Sequence, residues 1–111
     1  MSASKRKGTS WETLIVDYLV SHGWKHAERR ALAGKNDRGD VAGIPGVVIE
    51  AKSANRLELA AWLDETEAER ANDNAVHGLL WIKRRGKRGA EHGYVVMTGA
   101  NAVRLLKEAG Y

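Results

Sequence analysis

The chain has no cysteine, no phenylalanine and a single proline, and none of its apolar runs approaches the length of a membrane span. Without cysteine, a disulfide framework and a thiolate-held metal are both excluded. That absence also suits a cytoplasmic setting, which is the expected localisation. Residues Met1 to Gly8 are polar and basic, with no apolar stretch ahead of a cleavage site, so no secretory leader is expected. With phenylalanine missing, Trp11, Trp24, Trp62 and Trp81 must supply much of the aromatic bulk. What remains is ordinary for a folded chain: 111 residues, 43% apolar and 29% charged, fit one domain with one core rather than a disordered segment.

The formal net charge of +4 is modest, but its distribution is uneven. Lys5, Arg6 and Lys7 cluster near the start, and Lys83, Arg84, Arg85, Lys87 and Arg88 cluster between two apolar segments. Acidic residues gather elsewhere, at Asp64, Glu65, Glu67 and Glu69. Segregated charge favours a polyanion on one face. The plainer alternative is a solvated tail and a solvated hairpin tip.

Residues 1–8 read as a flexible basic arm, leaving 9–111 as a single domain. Thr9 and Glu12 have capping-box spacing and should open a helix. Trp11, Leu14, Ile15, Tyr18 and Leu19 then recur at helical period, and Gly23 is the expected stop. Trp24 to Leu32 reads as a strand, and Gly34 to Gly39 as a polar loop. Asp40 to Gly43 and Val47 to Lys52 read as two strands joined at Ile44-Pro45-Gly46. A second helix is predicted from Leu57 to Asn72, opened by Ser53 or Asn55, with Leu57, Ala60, Ala61 and Leu63 toward the sheet. Gly78 to Ile82 and Tyr94 to Met97 are further strands, and Ala102 to Ala109 closes the chain as a helix. The order is αβββαββα, an α/β fold.

The most apolar strand, Val47-Val48-Ile49, ends in Glu50-Ala51-Lys52. Side chains alternate along a strand, so Glu50 and Lys52 share a face. Charge at the end of a buried strand needs a reason, because unpaired charge there is costly. Asp40 stands on the preceding strand. An odd-length connection centred on Pro45 puts it opposite Glu50 on that same face, whereas an even-length turn needs a bulge to do so. Two carboxylates and a backbone carbonyl, that of Ala51, make a hard oxygen site suited to Mg²⁺, with Mn²⁺ as a substitute. Such an ion polarises a phosphate oxygen and acidifies a bound water, and a neighbouring Lys52 stabilises developing negative charge. A strand-end salt bridge between Glu50 and Lys52, beside a turn aspartate, fits the same spacing.

Lys7-Gly8-Thr9-Ser10-Trp11-Glu12 opening a helix, Gly23-Trp24 ending it, Arg38-Gly39-Asp40-Val41-Ala42, and Val48-Ile49-Glu50-Ala51-Lys52 follow one another in order. Together they resemble the PD-(D/E)xK nuclease superfamily, most closely the archaeal-type Holliday junction resolvases and their phage-encoded relatives. The resemblance runs from Lys7 to Lys52, a little under half of the chain. It implies a restriction-endonuclease-like mixed central sheet flanked by helices, with Asp40 and Glu50 as metal ligands and Lys52 as the catalytic lysine. It also implies that Glu12 is an additional acidic group near the metal, beside its plainer role as capping partner. Lys35 to Gly39 becomes a loop near the scissile phosphate, with Lys35 and Arg38 on DNA. One position departs from the pattern: the family usually carries proline or another apolar residue before the aspartate, and here it is Gly39.

The expected activity is therefore that of a Mg²⁺-dependent, structure-selective DNA endonuclease, a Holliday junction resolvase in its most specific form. A nicking, flap or single-strand nuclease and a non-catalytic nucleic-acid binding module are the alternatives. Branched DNA is the expected partner, with no membrane and no small-molecule substrate. Symmetric cutting of a junction calls for a homodimer. In the phage-encoded case the setting is the host cytoplasm.

Overall fold

The computed structural model of the chain describes residues 3–30 and 39–111, with side chains from residue 6 onward. Lys35 and Arg38, and the side chain of Lys5, lie outside the described residues.

Helix α1 (Ala3–Ser21) buries Trp11, Ile15 and Leu19, which recur every fourth residue and so line one face. The helix stops where the sequence predicts. Gly23 adopts φ +106°, its N–H donates to the Val20 carbonyl, and the Trp24 N–H donates to the Leu19 carbonyl at 3.1 Å. This is a Schellman closure, and it needs a residue free of the left-handed penalty. The start differs from expectation. The helix begins at Ala3, so residues 3–8 belong to it rather than to a separate arm, and Thr9 caps nothing. Ala3, Lys5, Arg6 and Lys7 are good helix formers and no proline intervenes, so the first turns extend past the capping signal.

Among the described residues, five strands form one mixed sheet in chain order: β1 (Glu28–Arg29), β2 (Val41–Ala42), β3 (Val47–Lys52), β4 (His77–Ile82) and β5 (Tyr94–Val96). All neighbours are antiparallel except β3 and β4, which run parallel and are joined by helix α2 (Leu59–Asn72). Helix α3 (Gly99–Glu108) follows β5, its N-terminus capped by Thr98, whose hydroxyl accepts from the Asn101 N–H at 3.1 Å. The predicted order of elements is present, with a mixed sheet and three α-helices among the described residues. Strand β1 starts at Glu28 rather than at the predicted Trp24, because Trp24 to Ala27 form a turn held by the Ala27 N–H on the Trp24 carbonyl; the predicted end at Leu32 lies outside the described residues.

The sheet separates two apolar layers. Val41, Val47, Ile49, Ala51 and Trp81 pack against α1, while Leu80 and Ile82 pack against Trp62 of α2. Glu50 and Lys52 alternate with the α1-facing residues and so point to the α2 side. Helix α2 corrects two expectations. Neither Ser53 nor Asn55 caps it; Glu58 stands at the cap position without a side-chain bond. Its inner face is Trp62, Thr66 and Glu69, whereas Leu57, Ala60 and Ala61 are exposed and Leu63 half-buried.

The backbone at position 39 accounts for a glycine before Asp40. It holds φ +98°, and a Cβ there would lie 2.8 Å from Val48 Cγ1 and 3.1 Å from the Ile49 carbonyl oxygen. Proline, fixed near φ −65°, has no access to this conformation. Gly39→Pro is thus expected to destabilise the fold by about 2–3 kcal/mol, a drop in melting temperature on the order of 10 °C. A thermal melt matching wild type would show that the backbone before Asp40 does not need this conformation.

Candidate active site

The β2–β3 ladder pairs Val41 with Ile49, and the carboxyl of Asp40, just before β2, meets that of Glu50. This is the register that a connection centred on Pro45 requires. The Asp40 N–H donates to the Ile49 carbonyl at 2.9 Å, and the Ala51 N–H donates to Asp40 Oδ2 at 2.8 Å. Asp40 is thereby clamped to β3 through both its main chain and its carboxylate, although β2 itself is only Val41–Ala42.

Glu50 is 4% exposed and Glu69, from α2, is 5% exposed. Their carboxyl groups hydrogen-bond, and Glu50 makes the same contact with Asp40. Burial first, then these shared hydrogen bonds and the negative fields of Asp40 and Glu69, push the Glu50 carboxyl far above the usual carboxylate range. Ligand-capable oxygens of Glu50, Glu65 and Glu69 lie within 4.8 Å of one another. Like charges packed this closely, two of them buried, need a shared proton or a cation between them.

Lys52 reaches the same cluster from the end of β3. Its Nζ donates to Glu65 Oε2 at 3.0 Å and sits 5.7 Å from the centre of the Trp62 ring. Burial works against the charged ammonium, but the Glu65 hydrogen bond and the fields of Glu50, Glu65 and Asp40 outweigh it and raise its pKa. Lys52 is therefore a fixed cation at neutral pH, not a base. The Glu50–Lys52 salt bridge, the plainer alternative in the sequence, is not the contact formed: the partner of Lys52 is Glu65.

Glu12 lies at the rim of this cluster. Its carboxylate pairs with Arg29 Nε at 3.4 Å across from β1, with Glu12 more buried than Arg29. Burial and the field of Asp40 raise its pKa, against the opposing pull of Arg29. Glu12 is thus within electrostatic reach of Asp40, and the Thr9–Glu12 capping pair is absent, since Thr9 sits inside α1.

Sequence reasoning set the acidic run 64–69 apart from the basic clusters and gave it no place in the site. The structure brings Glu65 and Glu69 into it, and these are the residues it missed. A signal was present: the two stand four apart, on the helix face that also carries Trp62 and Thr66, immediately after the strand bearing Glu50.

The basic residues also converge. Lys7 from α1 and Lys83, Arg84 and Arg85 from the loop after β4 line one cleft of about 740 Å³, together with Ser53 and Asn55 just beyond β3. Lys87 and Arg88 are exposed further along that loop, and Arg6 is exposed on α1. The cleft opens at the carboxyl ends of the parallel pair, where open α/β sheets commonly hold ligands. Of the histidines, His22, His26 and His92 are exposed. His77 is buried, with Nδ1 accepting from the Asn101 amide at 3.0 Å and Nε2 bonded to Glu108 Oε2 at 2.6 Å. That network ties α3 to the start of β4, a structural role. Compared with protein-family models, curated proteins and solved structures, the chain shows no match.

Proposed function

We propose that the chain is a divalent-metal-dependent DNA endonuclease of the PD-(D/E)xK kind, with a restriction-endonuclease-like arrangement of its sheet. The observation that carries this reading is the meeting of the Asp40, Glu50 and Glu69 carboxyl groups, with Asp40 held by the Ala51 N–H and Lys52 two residues on from Glu50 along the same face. The donor set fits Mg²⁺ or Mn²⁺: it is all oxygen, it is mostly buried, and its crowded carboxyl groups call for positive charge. Asp40 and Glu50 would hold the ion with the Ala51 carbonyl, and Glu69 would support Glu50 from α2. When bound, such an ion polarises a phosphodiester oxygen and acidifies its water.

The chain's own residues do the remainder. The Ala51 N–H fixes the Asp40 carboxylate in place, and the Asp40 N–H on the Ile49 carbonyl holds its main chain to β3, so the donors are preorganised. Lys52, held cationic, stabilises charge that develops on the phosphate. Trp62 and the buried face of α2 keep water from the rear of the cluster. The basic cleft holds the phosphate backbone beside it. A branched substrate, most specifically a four-way junction cut by a homodimer, is the finer form of the proposal.

Incubating the purified protein with a four-way junction, a flap, a duplex and a single strand, with Mg²⁺ and with EDTA, tests it. Mg²⁺-dependent cleavage of at least one substrate is the expected result, with the junction cut fastest; no cleavage of any of them at any Mg²⁺ or Mn²⁺ concentration overturns it. Glu12→Gln is expected to slow that cleavage about tenfold, as the loss of charge near Asp40 alters the cluster. The melting temperature should move by only a few degrees, since a partly exposed ion pair contributes at most about 1 kcal/mol. Unchanged cleavage in the folded variant would leave Glu12 as a structural partner of Arg29 alone.

A further inference from the structure

We infer that the cleft beyond β3 and β4 seats an unpaired nucleotide, with Tyr94 as the surface on which its base stacks. The inference rests on the nucleic-acid part of the proposed function and narrows the substrate class to DNA that offers a single-stranded segment.

The lining combines two features that polyanion grooves and base platforms separately need. Lys7, Lys83, Arg84 and Arg85 supply positive charge, and among the described residues no acidic side chain lines the cleft. Beside them stand Tyr94, 48% exposed, and Leu57, 51% exposed. Large apolar side chains left open within a ring of cations are poorly placed for water and for an apolar protein partner alike. A nucleotide matches both parts, phosphate to the cations and base to the ring. A duplex does not, because its base faces are hidden inside the stack. The volume of about 740 Å³ falls in the range of sites that enclose one small ligand rather than a double helix.

The cleft is also held in shape. Arg85 Nη2 donates to the Asn55 carbonyl at 3.2 Å, tying the loop after β4 to the segment after β3. The Arg84 guanidinium lies 5.8 Å from the centre of the Tyr94 ring, so one cation is already placed against the aromatic surface. The Lys83 N–H donates to the Lys52 carbonyl at 2.9 Å. Ser53, in the lining, follows Lys52 directly, so a strand seated in the cleft runs on toward the carboxylate cluster.

Fluorescence anisotropy in EDTA tests this without cleavage, using a labelled oligothymidine and a blunt duplex of equal length. Tyr94→Leu keeps an apolar side chain on β5 but removes the aromatic face; Tyr94→Phe keeps the face. Lys107→Ala, on α3 beside the Glu108 contact to the start of β4 and so at the opposite end of the sheet, controls for general charge loss. Tyr94→Leu is expected to weaken single-strand binding about tenfold and duplex binding less than twofold, with Tyr94→Phe and Lys107→Ala close to wild type. Equal losses on both ligands, no loss on the single strand, or a wild-type protein that binds neither ligand overturns the inference. Tyr94-dependent binding in a protein that cuts nothing with Mg²⁺ sustains the nucleotide seat and sinks the nuclease reading. Cleavage with no Tyr94 dependence does the reverse.

Discussion

Asp40→Asn is expected to lower Mg²⁺-dependent cleavage by roughly 10² to 10³ or more, the scale seen when one preorganised electrostatic contact is lost, and to do so without loss of stability. The amide oxygen can still accept the Ala51 N–H that the Asp40 carboxylate accepts at 2.8 Å. What disappears is negative charge in a cluster where Glu50, Glu69 and Asp40 already crowd one another. In metal-free buffer the variant should therefore melt at or above the wild-type temperature, the pattern of a site kept strained for function. Glu50→Gln should behave likewise. Lys52→Ala should also lose turnover, through loss of charge on the phosphate, and with the opposite stability signature, because Glu65 then loses its partner. Parallel rate measurements and melts in EDTA separate these outcomes. Wild-type cleavage by purified Asp40→Asn would remove Asp40 from the site; a large fall in its melting temperature would make it a structural residue.

The parts of this molecule visible in the sequence are those where burial and local geometry agree. Val47–Lys52 is a strand because an apolar run is flanked by turn residues, and it appears with the predicted boundaries. Gly23 ends α1 because only glycine takes that turn at no cost. The connection centred on Pro45 sets Val41 against Ile49, as one register of two required, but spacing could not show that the Asp40 N–H also turns to the Ile49 carbonyl. Other parts were hidden for a physical reason. The inner face of α2 packs against a polar cluster, so Thr66 and Glu69 stand where hydrophobic periodicity looks for leucine, and Leu57 drew the reading to the wrong face. Glu65 and Glu69 looked like one solvated acidic run, because nothing in the local sequence shows that β3 ends beside them. Nor could spacing show that Lys7 and Lys83, far apart in the chain, line one cleft.

In metal-free buffer the melting temperature is expected to fall as pH rises from 5.5 to 7.5. Glu50 is held well above the ordinary carboxylate range by burial, by its hydrogen bonds to Asp40 and Glu69, and by their charge. Across that interval the native protein keeps a proton that the unfolded chain has released. Stability falls with pH wherever the native state binds more protons than the unfolded state. The contribution of Glu50 is thus complete below its unfolded value near 4.5 and is lost progressively above it. Glu12, raised mainly by burial, acts in the same direction. Lys52, also raised, stays protonated in both states throughout this window and adds no slope. One proton corresponds to about 1.4 kcal/mol per pH unit, which for a domain of this size is a fall on the order of 10 °C between the two pH values. Mg²⁺ competes with that proton for the same oxygens, so the stabilisation it confers should be larger at pH 7.5 than at pH 5.5. Glu50→Gln should flatten both dependences. Melts at the two pH values, with EDTA and with saturating Mg²⁺, measure all of this. A flat wild-type profile with a pH-independent Mg²⁺ increment would mean that Glu50 is ionised without a cation, and the crowded carboxylates would lose their claim to be a metal site.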